Sequence, residues 1–591
     1  MKKLSSLLLL LLGLFVFVSC GDDDENPVIA EPTIGQPATN TTSSGATATF
    51  TVAVTAPGGL KTITATATAG SVTVGTFTIG ATSANVDLNY TAPSVTSDQT
   101  VVITVTVTDN ANQTEDEAII INVTVKPIKE VFAANDGLKS QLAPSSANTY
   151  TMYSDTVYVL RGFVFVNGNK DGANNNTTPQ TLIIQPGTVI KGQPGAGSGA
   201  SALIVARGGK IEANGTANAP IIMTALSDDL DRTDDLPFGL DSQWGSLLVL
   251  GSARINGTAD VVGGESAVEG IPTTEPRGLY GGTNDADNSG TLRYISLRHG
   301  GAEIGASNEI NGLSMGAVGN GTTIEYIEVF SNFDDGYEWF GGTVNAKYLI
   351  AAYAGDDAID WDQGFTGKVQ YLLVAQEPAA TASPKGGRGC ECNGVVNGAT
   401  IDYNSTPISN PIIANATFIG AGAGASEGQV FEFRQGSAGR VYNSIFFNFS
   451  SGVRVNGVSA TEAVESETRL DAGQLLFVNN IFGQVNSGTT LANVAVATSA
   501  TDNAALKTKI ESMLANNGNI YNNTIGLVNP VVAAGFDPGL VAGGAADGVT
   551  PFNLNATDTF FDNVTKIGAF PTANNWAAGW TAISAYGILA D

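Results

Sequence analysis

Carboxylates crowded together can do three kinds of chemistry: share a proton and act as acid and base, hold a hard cation, or cap tight corners of the chain. Two stretches of this sequence offer such crowding. TIEYIEVFSNFDDGYEWFGG, from Thr323, supplies Asp334, Asp335 and Glu338, and AKYLIAAYAGDDAIDWDQG, from Ala346, supplies Asp356, Asp357, Asp360 and Asp362. A shift of 22 residues lays one on the other. Tyr326 falls on Tyr348, Ile327 on Leu349, Asp334-Asp335 on Asp356-Asp357, Glu338 on Asp360 and Trp339 on Trp361, while Glu325 meets Lys347 as an opposite charge.

Alternation within DDGYEWF and DDAIDWD puts Tyr337, Trp339, Ile359 and Trp361 on one face and Glu338, Asp360 and Asp362 on the other. Burial of the aromatic face points those acids outward. Stacked carboxylates repel unless a cation, a shared proton or nearby Lys and Arg neutralise them. All seven acids, Asp334, Asp335, Glu338, Asp356, Asp357, Asp360 and Asp362, are candidate ligands for Ca²⁺, which takes about six to eight oxygens. Asp335, Asp356 and Asp357 are candidate acid and base for breaking a glycosidic bond. The plainest alternative is structural, because Asp tolerates the left-handed geometry of tight corners and bonds its own backbone.

Each of these readings requires an element that stacks the phrases. From Pro127 onward, short apolar runs alternate with Gly and Asn turns, and a compact phrase recurs as NATFI from Asn415, NSIFF from Asn443, NNIFG from Asn479 and NNTIG from Asn522. A β-rich repeat of this length cannot close a core alone and suits one rung of a parallel β-helix, whose rungs stack about 4.8 Å apart. Segments such as LIIQPGTVIKG, ALIVARGGKIEANGTANAPIIMTAL and WGSLLVLGSARING resemble the turns of secreted pectate-lyase-like proteins, so a right-handed parallel β-helix is expected. The Asp-containing turns also resemble those of polygalacturonases, with Asp335 matching the first acidic turn and Asp356 and Asp357 the second. That family's Gly-His-Gly and Arg-Ile-Lys motifs are absent; Tyr371-Leu372-Leu373 and the insertion around SPKGGRGCECNG stand there instead. Pectate lyases pair an outward calcium site with an Arg proton acceptor, for which Arg388 and Arg434 are available. Stretches near 226–243, 258–290, 377–410 and 458–474 read as loop insertions, and Trp244, Tyr280, Tyr403, Trp576 and Trp580 are the aromatic candidates for a glycan platform.

Ahead of the repeat, the alternating runs ATFTVAVTA, KTITATATA, SANVDLNYTA and QTVVITVTVTDNANQ imply half-buried antiparallel strands. VTVTDNANQTEDEAIIINVTV resembles the last hairpin of bacterial immunoglobulin-like modules, which implies a spacer. The fold class is therefore all-β: an Ig-like β-sandwich over 43–127, then a β-helix over 128–591, with no long helices. Lys2-Lys3 and the apolar run to Val18 read as a secretion signal over residues 1–19. The run ends in FVSC, which resembles a lipoprotein lipobox with Cys20 as the acylated residue. The acidic GDDDE that follows resembles the export signal of surface-exposed lipoproteins, and residues 20–42 read as a tether.

The 591 residues carry 27 Lys and Arg against 55 Asp and Glu, a net charge of −28, which excludes a nucleic-acid partner built on cationic clusters. With only Cys390 and Cys392 left and one histidine, His299, neither a disulfide framework nor a complete zinc site is available. The sequence thus implies a surface-exposed lipoprotein of the outer membrane. Its β-helix would bind a polysaccharide or a neighbouring outer-membrane transporter, with a polysaccharide lyase or glycoside hydrolase, or an architectural protein, as alternatives. Cys20→Ala is expected to move the protein from the membrane to the soluble fraction; retention of that variant through the same N-terminus would overturn the acylation reading.

Overall fold

The computed structural model describes residues 29–590 except 96, 167–178, 231, 257–263, 269–270, 272–274, 306–307, 379–385, 397–401, 426, 460–461, 487, 500 and 572–574. The signal segment, Cys20 and its acidic run lie outside the described residues. Two compact units divide between Val125 and Lys126.

In the first unit the period-two pattern does what half-buried strands require. Thr47–Thr55 buries Phe50, Val52 and Val54 and exposes the residues between them, and it pairs antiparallel with Ser83–Thr91. Gln99–Asp109 and Thr114–Thr124 form the long hairpin. Two four-stranded sheets result, and their inward side chains, among them Phe50, Leu88, Tyr90, Val105 and Ile121, make one core. Thr33–Ile34 and Thr41–Ser43, within the stretch read as a tether, pair with the ends of these sheets.

The second unit is a stack of parallel rungs whose strands fall into one sheet of eighteen and one of ten, consistent with a right-handed β-helix. The 22-residue shift is one rung: Ile327 pairs with Leu349, Glu325 with Lys347, Tyr337 with Ile359 and Trp339 with Trp361. Inward residues pile into a continuous apolar core that includes Leu313, Trp339, Trp361, Phe431 and Phe433. The recurring Asn phrase marks a corner. Asn415, Asn443 and Asn479 have φ of 53°, 54° and 55°, the left-handed region that Asn tolerates better than most residues. Earlier rungs put tyrosine at this corner: Tyr294, Tyr326, Tyr348 and Tyr371 also have positive φ, and their rings stack at 4.2, 4.2 and 4.6 Å.

A helix the sequence reading missed, Asn503–Ala515, starts from the Asp502 cap and turns Leu506, Ile510 and Leu514 into the core beside the last rungs. The stack needs such a cover, because a terminal rung otherwise exposes its apolar interior. The last rung strand is Ile520–Tyr521. Residues from Ile525 to Leu589 then return along the outer face of the eighteen-stranded sheet. Ile525, Phe536, Trp580, Ile583 and Leu589 pack there on Phe330, Ile350, Leu373, Ile419 and Ile445. Corner amides fix this segment: Asn415 Nδ2 donates to the Lys566 carbonyl, Asn479 Nδ2 to that of Thr550, and Asn443 exchanges two bonds with the Phe552 backbone. Buried Glu328 accepts the Ala582 and Ile583 N–H groups.

Four of the five aromatics considered as platforms are packed away. Trp244, Tyr280 and Trp580 are buried, and Trp576 is partly buried, stacked on Phe570 and edge-on to Tyr348. Tyr403 keeps partial exposure. Because Trp580, in the returning segment, lies edge-on to Tyr294 and Tyr326, Trp580→Ala is expected to cost about 3–5 kcal/mol in denaturant unfolding; a loss below about 1 kcal/mol would mean the segment is not packed as described.

Candidate functional site

Strand pairing on the ten-stranded sheet turns alternation into a ladder. Ser314, Glu338, Asp360, Glu391, Glu432 and Arg454 occupy one outward position on successive rungs, while Met315, Trp339, Trp361, Cys392, Phe433 and Val455 face the core beneath. The acids therefore lie on the outer face, as alternation requires. They are nevertheless not solvated: Glu338 is 8% exposed, Asp335 7%, Asp362 5% and Asp357 1%. Asp334 is half-buried and Asp356 exposed at the rim.

The two Asp-Asp turns clip one rung to the next. Asp335 Oδ1 accepts the Asp357 N–H at 2.9 Å, and the Asp357 carbonyl accepts the Gly336 N–H at 2.9 Å. Asn311 braces the lower rung, accepting the Asp335 N–H at 3.2 Å and donating its Nδ2 to Glu338. Part of the acidic pattern thus serves the corners. Gly387 passes so close that a Cβ there would sit 2.6 Å from Oδ1 of both Asp356 and Asp357.

Neutralisation is uneven along the ladder. Arg388 bonds Asp357 at 3.1 Å, Glu391 at 2.9 Å, Glu427 at 2.8 Å and Glu432 at 2.5 Å. Arg434 pairs with Glu391, and Arg454 with Glu432 at 3.2 Å. Among the described residues, no Lys or Arg forms an ion pair with Asp335 or Asp360, and Asp360 Oδ1 is enclosed without a hydrogen-bond partner. The protonation equilibria follow. Burial, then the charges of Asp334, Asp360, Asp357 and Glu338, holds the Asp335 carboxyl well above the usual range. Asp360 is raised by burial, then by Asp362 and Asp357, against the pull of Arg434. Asp357 is pushed up to about 7 by burial and Asp356, with Arg388 opposing.

The seven expected ligands separate accordingly. Carboxylate oxygens of Asp335, Glu338 and Asp360 lie within 4.8 Å of one another, as do those of Asp334, Asp335 and Asp356. Opposed ligands at 2.3–2.6 Å from Ca²⁺ are about 4.6–5.2 Å apart, and the donors are all oxygen, so both trios fit a hard cation. Asp357 belongs to neither, since both of its oxygens are held by Arg388, and Asp362 lies one rung above Phe340 beside Gln363.

Glu391 and Glu432 were not legible, because the stretch read as an insertion around GRGCECNG is itself a rung: Glu391–Asn393 pairs with Ile359–Asp362 below and Gln429–Arg434 above. The usable signal was the Gln-Gly pair that closes DWDQG and FEFRQG, where Gln363 and Gln435 both adopt positive φ. Cys390 and Cys392 are free buried thiols 3.5 Å apart in the core, not a disulfide. His299 is also buried, its Nδ1 2.6 Å from the Leu240 carbonyl, and takes no part in the acidic set.

The family comparison agrees with the architecture. The profile of the pectate-lyase-like β-helix domain matches residues 145–581. Among solved structures, the catalytic domain of Agl-KA is 13% identical over 71% of this chain and 69% of that one, with a TM-score of 0.31. The family 28 exopolygalacturonase of Yersinia enterocolitica is 11% identical over 73% of this chain and 85% of that one, with a TM-score of 0.22. No curated protein sequence matches the chain. A profile match across most of the chain, on a stack of parallel rungs, means that this chain belongs to the pectate-lyase-like β-helix family.

Proposed function

We propose that the protein is a lipid-anchored outer-membrane surface protein. An immunoglobulin-like spacer carries the β-helix, which binds an extended polysaccharide along the outer face of its ten-stranded sheet. Ca²⁺ held by Asp335, Glu338 and Asp360 completes that face. The supporting observation is the lopsided ladder, in which Arg388, Arg434 and Arg454 balance the upper acids while Asp335 and Asp360 have no ion pair among the described residues. A cation supplies the missing charge at lower cost than protonating several buried carboxyls. The opposite sheet is a poorer choice of face, since the returning C-terminal segment covers it.

A second reading, polysaccharide lyase or glycoside hydrolase, draws on one observation: Asp357, with a carboxyl near 7 beside exposed Asp356 and neutral-leaning Asp335, has the protonation range of a general acid. Against it, Arg388 occupies both Asp357 oxygens.

Thermal unfolding with chelator or with excess Ca²⁺ separates the readings from a structural role. Ca²⁺ at about 100 times its dissociation constant adds about 2.7 kcal/mol, a rise of a few degrees in Tm. Glu338→Gln/Asp360→Asn is expected to abolish that rise; a wild-type Tm indifferent to chelator would remove the cation.

The pH dependence has a definite sign. Carboxyls raised in the folded state bind protons more tightly there than when unfolded, so in chelator stability should fall as pH rises from about 4 toward 7. Ca²⁺ should flatten that slope. Affinity electrophoresis in polygalacturonate should show Ca²⁺-dependent retardation without new reducing ends or unsaturated products. Product formation lost in Asp356→Asn/Asp357→Asn would establish the enzyme instead.

A further inference from the structure

Beyond the acidic face, a cavity of about 440 Å³ opens at a corner of the later rungs, within the range of about 300–1,000 Å³ typical of small-ligand pockets. Three amides lie at equivalent corner positions. Asn448 and Gln484 follow the paired Phe447 and Gly483, and Asn523 follows the next rung's Ile520–Tyr521. Asn448 and Gln484 take positive φ, 64° and 50°. Among the described residues the wall has no charged side chain, and Ala423 and Gly488 leave it open.

The amides are oriented in advance. Asn523 Oδ1 accepts three bonds, from the Gln484 N–H at 3.2 Å, the Thr489 N–H at 3.2 Å and the Thr489 hydroxyl, which leaves its Nδ2 as a donor with no protein acceptor among the described residues. Asn448 Nδ2 donates one bond to the Gly420 carbonyl at 3.0 Å, which orients the amide and leaves Oδ1 as an acceptor. The exposed Gln484 amide lies between them in the stack, and its side chain bonds no described group. The Ser450 hydroxyl donates toward the Ala425 and Gly428 carbonyls and so can still accept.

A fixed donor and a fixed acceptor, each about one 4.8 Å rung from an adaptable amide, match hydroxyls spread along a saccharide, each of which donates once and can also accept. A carboxylate ligand would find no cation among the described lining residues, and an apolar one would strand the amides unpaired. We propose that this pocket binds one or two residues of a neutral saccharide, independently of the acidic face and its cation.

Isothermal titration of the full chain with maltose, cellobiose, xylobiose and mannobiose tests this, with digalacturonate as the charged control. At least one neutral disaccharide should saturate one site at millimolar concentration or below. Ala423→Trp, at an exposed wall position, should weaken it at least tenfold, and Gln484→Ala about fivefold, the value of one hydrogen bond. Chelator and Glu338→Gln/Asp360→Asn should leave it unchanged, so loss of the cation reading would not touch this one. Absence of binding by all four neutral sugars, equal binding by Ala423→Trp, or tighter binding of digalacturonate would overturn the proposal.

Discussion

The structure rests on the register of parallel backbone pairing. Once Thr323–Phe330 bonds Asn345–Ala352, every side chain must sit about 4.8 Å from its counterpart, whatever its chemistry. Apolar and aromatic residues profit from this, as the inward Trp339 and Trp361 and the stacked Tyr326 and Tyr348 show. Like charges do not. A solenoid that repeats an acid at an outward position concentrates repulsion there, and the molecule has to provide counter-charge or hold protons.

Both solutions coexist on the ten-stranded sheet. On the upper rungs arginines enter from neighbouring positions, and Arg388 alone touches four carboxylates. On the lower rungs Asp335 and Asp360 are pushed toward the neutral form by burial and by neighbouring carboxylates. The same residues that could bind a cation also shape the corner, since Asp335 receives the next rung's N–H. Structural and binding readings are therefore layered on one set of side chains.

The outer faces of the two sheets differ for a physical reason. The longer sheet presents Phe330, Ile350, Leu373 and Ile419 outward, a surface water does not tolerate, and the C-terminal segment buries it. From Ser314 to Arg454 the shorter sheet presents acids and an arginine, which need partners rather than a cover, while on its earlier rungs Ile204 and Leu248 face outward and Ile255, Ile271 and Tyr280 bury them. Corner residues join the two systems: the tyrosines stack under Trp576 and Trp580, and the asparagines bond the backbone of the returning chain.

Local sequence determined a good deal of this. Period-two alternation fixed which of Tyr337, Glu338, Trp339 and Asp360 face in or out, and the 22-residue repeat fixed which residues stack, because both follow from strand geometry alone. What sequence left undecided depends on contacts between distant segments. Whether outward acids meet water was settled by arginines from Arg388 to Arg454 and by Asn311, and the Glu391 rung was hidden by the inserted lengths on either side of it. Trp580 was a candidate glycan platform by its sequence position, yet packs on Tyr294 far back in the chain. Periodicity carries the direction of a side chain; only the folded chain supplies what waits there, because that neighbour comes from anywhere in the sequence.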